Sequence, residues 1–173
     1  ELAPAKINLF LRICGKNNAG YHLLDSLVTF TEFGDTLTIY SSDKDELILT
    51  GEFAGQINTP TKSNLVIRAL NNFRQSGGSI GPLRIVLEKN IPVEAGLGGG
   101  SSDAAALLLA INGQSKTPLS QQNLYNVGLK LGADVPVCLA RGCQRISNIG
   151  EVLTPNELPT MGAVLLVNPG VAL

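Results

Sequence analysis

Four of the five residues from Gly96 to Gly100 are glycine, and they stand between an alternating run, Leu83 to Lys89, and an unbroken helix-forming run, Ala104 to Ile111. Glycine lets the main chain approach a ligand closely and turn its N–H groups inward. Ser101, Ser102 and Asp103 follow at once, and all three are residue types that cap helix N-termini. The spacing predicts strand, glycine loop and helix, with free N–H groups and the positive end of the helix dipole facing the loop. Such a helix start suits a phosphate. A strand-to-helix turn that binds nothing needs one or two glycines, not four followed by two hydroxyls.

Two common phosphate loops are excluded by spacing. A P-loop requires Lys then Ser or Thr after its last glycine, whereas Gly100 is followed by Ser101-Ser102. A dinucleotide fingerprint requires glycine or alanine where Ser101 stands and an acidic residue about 20 positions on. That region reads Lys116-Thr117-Pro118-Leu119-Ser120.

The remaining composition narrows the partners. A formal charge of −1 gives no electrostatic case for nucleic acid or an anionic membrane, and the absence of Trp disfavours stacking on single strands. The apolar run at Ala104 to Ile111 is too short to span a bilayer, and the N-terminus reads as a strand, not a signal peptide. The expected location is the cytoplasm, or a plastid if the source is a plant or alga. Cys14, Cys138 and Cys143 have no zinc spacing and read as reduced, mostly packed thiols.

Along the chain, Lys6 to Ile13 alternates, with Ile7, Leu9, Leu11 and Ile13 on the core face and Lys6, Asn8, Phe10 and Arg12 opposite. Asn17 to Gly20 forms a turn. Strands are expected at Leu23 to Phe33, Thr36 to Tyr40 and Leu47 to Thr50, with a loop from Gly51 to Lys62. Asn64 caps a helix whose stripe is Leu65, Val66, Ala69, Leu70 and Phe73, and Gly77-Gly78 ends it. A second helix covers Gln121 to Leu131. Pro136 favours extended chain from Val135 to Ala140, and Ala163 to Val167 reads as a buried strand broken by Asn168-Pro169-Gly170. Strands grouped before helices indicate an α+β fold. Pro155 and Pro159 place a domain boundary near Leu153 to Met161.

Pro92 to Ala106 resembles the ATP loop of the GHMP kinases, the small-molecule kinases of galactose, homoserine, mevalonate and phosphomevalonate. Pro4-Ala5-Lys6-Ile7-Asn8-Leu9-Phe10-Leu11 running on to Gly20-Tyr21-His22, and Leu131-Gly132-Ala133-Asp134-Val135-Pro136, are similar to the branch acting on methylerythritol linked to cytidine diphosphate. The resemblance implies an α+β domain of the ribosomal protein S5 domain 2-like type over residues 1–153. It implies that residues 154–173 begin a second domain whose remainder lies beyond Leu173. It further implies transfer of phosphate from ATP, with Mg²⁺, to the 2-hydroxyl of that small molecule, in the non-mevalonate isoprenoid route. A mevalonate- or sugar-type kinase and a non-catalytic nucleotide-binding fragment are the alternatives.

The residues carry this chemistry unevenly. The resemblance assigns nucleotide binding to Pro92, Val93, Glu94, Ala95, Gly96, Leu97, Gly98, Gly99, Gly100, Ser101 and Ser102, and beside them to Asn64 and Lys89. It makes Asp134 the general base and Lys6 the cation of phosphoryl transfer. Read locally, Asp134 is a turn residue bonding neighbouring amides, and Lys6 lies opposite the core and so faces solvent. Asn8, Tyr21 and His22 are the implied substrate contacts, Tyr21 stacking on cytosine and His22 bonding its polar edge. Read locally, Tyr21-His22 is turn surface. No magnesium ligand is assigned; Ser102 is the nearest guess. Glu94 and Asn148 depart from the family pattern, which has a small residue and a glycine there.

Overall fold

A computed structural model describes residues 1–17, 19–157 and 163–168. Residue 18 of the expected turn, residues 158–162 of the expected boundary segment, and residues 169–173 lie outside the described residues.

The sheet is organised on one long strand. β1 (Leu2–Lys16) and β2 (His22–Ser41) form an antiparallel hairpin, and β2 also pairs antiparallel with β4 (Leu83–Glu88) and with β5 (Gln144–Asn148). β3 (Glu46–Thr50) adds in parallel to β4, and β6 (Val152–Pro155) adds antiparallel to β5. The order is β3-β4-β2-β5-β6, with β1 on β2. Four helices form the other layer: α1 (Leu65–Gln75), α2 (Gly99–Gln114), α3 (Gln121–Leu131) and α4 (Val135–Ala140).

The helices form where their sequences allow an apolar face and a cap. Asn64 accepts from Val66 N at the start of α1, and Val66, Ala69, Leu70 and Phe73 are its buried stripe. Ser120 caps α3 in the same way through Asn123 N. α2 is apolar all round and lies at the centre of the layer, touching α1, α3, α4 and β1. Leu37, Leu70, Phe73, Ile85, Leu107 and Leu108 meet between the layers.

Several expectations are corrected. Leu23 to Phe33 and Thr36 to Tyr40 are one continuous strand, because Gly34 serves a close approach and not a turn. A Cβ there would stand 2.3 Å from Ala3 O. β1 does not keep one phase: its register slips between Asn8 and Phe10. Lys6, Asn8, Leu11 and Ile13 therefore share a face, opposite Phe30, Val28, Ser26 and Leu24. The helices cover that face at Lys6, which is 5% exposed, and leave it open at Leu11 and Ile13, 57% and 64% exposed.

Val135 to Ala140 is helix, not extended chain, because Pro136 falls in its first turn, where a missing N–H costs nothing. Residues 163–167 are exposed and pair with no strand among the described residues. β5 and β6 have no counterpart in the sequence reading. Cys138 is buried, but Cys14 is exposed. No described helix is long and apolar enough to cross a membrane.

Candidate active site

The glycine loop and the start of α2 line one side of a cleft of about 1100 Å³. Pro92 to Ser101 all contribute, with Asn64, Leu65 and Lys89 beside them. The opposite wall, Phe53 to Pro60, comes from the segment read as plain loop, which contains a short 3₁₀ turn, Ala54–Gln56. The N-cap of α2 is Gly98, in the left-handed region at φ 66°, with no capping side chain. Ser101, Ser102 and Asp103 are thus not caps. The first intrahelical bond is Ser102 N to Gly98 O, so the N–H groups of Gly99, Gly100 and Ser101 are left for a ligand. Ser102 does not face the cleft: its hydroxyl donates to Pro4 O at 2.7 Å and it is 2% exposed.

Beneath the loop lies a buried charge cluster that the sequence did not reveal. Lys89 Nζ donates to Asp35 Oδ2, and to Asp103 Oδ2 at 2.6 Å. Asp35 Oδ1 accepts from Asn90 N and Ile91 N at 2.5 and 2.8 Å, fixing the chain as it enters the loop. Two carboxylates share one ammonium away from water. Burial pushes the Asp103 carboxyl up to about 7, against the pull of Lys89 and with the push of Asp35. Its Oδ1 has no hydrogen-bond partner. The Lys89 ammonium is therefore engaged from below the loop, while the residue still lines the cleft.

On the other side of the loop, Lys6 and Asp134 come together. Lys6 N donates to Leu97 O at 2.8 Å, and its Nζ stands 3.7 Å from Asp134 Oδ2. Lys6 is buried, whereas the Asp134 side chain is half exposed at the N-terminus of α4. Lys6 Nζ donates to Asn8 Oδ1 at 2.8 Å, and Asn8 Nδ2 donates to Ser26 Oγ at 2.7 Å. Burial, with Asp134 beside it, pushes the Cys138 thiol up to about 12, so Cys138 is inert packing. An accessible carboxylate, a fixed cation and an open helix N-terminus meet within one loop's width. That set can accept a hydroxyl proton while neutralising an anion.

Tyr21 and His22 are not brought into contact with this cluster. They lie at the far end of the β1–β2 hairpin, His22 opposite Lys16, with Tyr21 62% exposed.

Residues 64–142 match the family model described as "GHMP kinases N terminal domain". This chain carries a GHMP kinase N-terminal domain. The GHMP match begins at the cap of α1 and runs through the glycine loop and Asp134. A 4-diphosphocytidyl-2-C-methyl-D-erythritol kinase of Brucella abortus biovar 1 (strain 9-941) is 46% identical over 180 aligned positions, 100% of this chain and 59% of that protein. The kinase of the same name from Rhizobium meliloti (strain 1021) is 43% identical over 176 positions, 98% of this chain and 58% of that protein. A crystal structure of 4-(cytidine 5'-diphospho)-2C-methyl-D-erythritol kinase superposes with a TM-score of 0.77 at 36% identity, covering 92% of this chain and 55% of that one. The fold is the α+β GHMP kinase fold. The chain spans less than two thirds of the length of these curated relatives.

Glu94 and Asn148 both sit at positive φ, 56° and 60°, a region that favours glycine.

Proposed function

We propose that the intact protein transfers the γ-phosphate of ATP to the 2-hydroxyl of 4-diphosphocytidyl-2-C-methyl-D-erythritol, in the non-mevalonate route to isoprenoids. The observation that carries this reading is the Lys6–Asp134 pair, 3.7 Å apart, set against the loop whose other face opens on the cleft. The identities of 46% and 43% to kinases of that name support the choice of acceptor over mevalonate or a sugar.

Phosphoryl transfer demands positioning and charge neutralisation more than covalent chemistry. The free N–H groups of Gly99, Gly100 and Ser101 hold phosphate oxygens at the positive end of α2. Asn64, Leu65 and Lys89 border the nucleoside end. Asp134 accepts the hydroxyl proton, and Lys6 steadies charge on the oxygens that exchange the phosphoryl group. Asn8, Tyr21 and His22 are the acceptor side, with the exposed Tyr21 ring free to stack on cytosine.

Magnesium fits here only as an ion carried by the nucleotide. Among the described residues no three acidic, His or Cys side chains converge, and the Ser102 hydroxyl is turned to Pro4. Ser101 is the hydroxyl at the start of α2 that lines the cleft. Such an ion, when bound, would supply charge neutralisation to the phosphates, with Ser101 the nearest hydroxyl at the start of α2.

The division near residue 153 belongs to this reading, with a second domain completing the protein. The deciding experiment supplies intact protein with ATP and each acceptor in turn and follows product by phosphorus NMR. Phosphorylation of the cytidyl substrate, with none of mevalonate or galactose, is the expected result. Transfer to mevalonate or galactose instead would replace the acceptor, and no transfer to any would leave nucleotide binding alone.

A further inference from the structure

We propose that Ser26 is a positioning residue that sets the direction of a hydrogen-bond chain ending on the Lys6 ammonium, and so holds Lys6 in place beside Asp134. Its catalytic consequence rests on the kinase reading above, whereas the chain itself does not.

Ser26 lies on β2, is 1% exposed, and touches Lys6 only through Asn8. Its Oγ donates to Phe10 O at 2.6 Å and accepts from Asn8 Nδ2 at 2.7 Å. Asn8 Oδ1 then accepts from Lys6 Nζ at 2.8 Å. Each link constrains the next. A carbonyl only accepts, so the hydroxyl proton is committed to Phe10 O. The hydroxyl therefore offers lone pairs to Asn8, which must present its NH₂ group. That leaves the amide oxygen as the one group of Asn8 turned to the ammonium. A flipped amide would set donor against donor at Lys6 and acceptor against acceptor at Ser26.

The chain sits where the β1–β2 register slips, between Asn8 and Phe10. Bulges of this kind re-aim side chains beside functional sites. The slip brings Leu11 and Ile13 onto the face that Lys6 and Asn8 hold, and Ser26 occupies the Phe10 carbonyl at the break. Without the hydroxyl, Asn8 can turn, and Lys6 loses the acceptor that keeps it from closing on Asp134.

The test uses the intact protein with Ser26→Ala and Ser26→Thr. Ser26→Ala should lower kcat about ten- to a hundredfold, the usual cost of a misplaced group, with KM for the nucleotide unchanged. Exchange of the Asn8 side-chain amide protons with solvent, read by NMR, should accelerate in the same variant. Ser26→Thr keeps the hydroxyl and should restore both. Ser26→Cys, nearly isosteric but a weak donor, serves the same comparison should the alanine variant unfold. Wild-type kcat and wild-type amide exchange in Ser26→Ala would overturn the proposal, as would a threonine variant no better than alanine. If wild-type protein transfers no phosphate, the kinase reading fails separately, and the amide exchange still decides whether Ser26 fixes Asn8.

Discussion

Gly98 stands so close to the Lys6 side chain that a Cβ on it would lie 3.1 Å from Lys6 Cε and 3.2 Å from Lys6 Cβ. The nucleotide loop and the cation beside Asp134 are thereby packed as one unit. Residue 98 must be glycine twice over, for its φ of 66° and for the space Lys6 occupies.

Gly98→Val should lose nucleotide affinity and kcat together, since it strains the loop and displaces Lys6. The left-handed conformation alone costs roughly 1–2 kcal/mol for a residue with a Cβ. Nucleotide titration of the folded variant checks this; unchanged affinity would remove the loop from the site.

Asp134→Asn should behave differently. Asp134 does not line the nucleotide cleft, so ATP affinity should hold while kcat falls about 10²–10⁴-fold, the range for a positioned general base. Normal turnover would make Asp134 a mere helix start.

The buried cluster predicts a pH dependence of stability. Burial raises Asp103 from 3.8 to about 7, so between those values the folded protein holds a proton that the unfolded chain has released. Stability should decline as pH rises through that window, by something on the order of a few kcal/mol, and level off above it. Asp103→Asn should flatten the decline. Urea unfolding across the window compares the two, and parallel curves would exclude Asp103 as the source.

Tyr21→Ala and His22→Ala should weaken the acceptor by about 1–3 kcal/mol, roughly ten- to a hundredfold, with ATP affinity intact. Tyr21 is 62% exposed, so its loss should cost the fold little. His22→Ala should also admit the uridine form more readily. Substrate titrations decide it: equal losses for ATP and acceptor would mean misfolding, and no loss for either would mean turn surface.

What the sequence made legible was local. The cap Asn64, the stripe of α1, the helix from Gln121 to Leu131 and the strand–loop–helix around Gly96 to Gly100 are written in neighbouring residues. What it hid depends on distance along the chain. Asp103 reads locally as a helix cap and Lys89, by the resemblance, as a neighbour of the nucleotide, and nothing joins them to Asp35 until the fold brings together residues 54 and 14 positions apart. Strict alternation sets Lys6 apart from Leu11 and Ile13 because it assumes an unbroken ladder, and the slip between Asn8 and Phe10 moves those two aliphatics to the Lys6 face. Pro136 misled because proline forbids a helix interior but not a helix start. The short, mixed strands β5 and β6 carry almost no periodic signal and exist because β2 offers β5 an edge and β5 offers one to β6.

That dependence on β2 has a consequence for synthesis. Asp25 pairs with Ser147, so this edge of β2 waits for a partner made 122 residues later. At about 5–20 residues per second, the edge stays open for roughly 6–24 s on every ribosome. During that time its unpaired N–H and C=O groups can be templated by any other extended chain. A nascent chain stalled before residue 144 should therefore be a target for chaperones and prone to join its neighbours, however well its helices have formed.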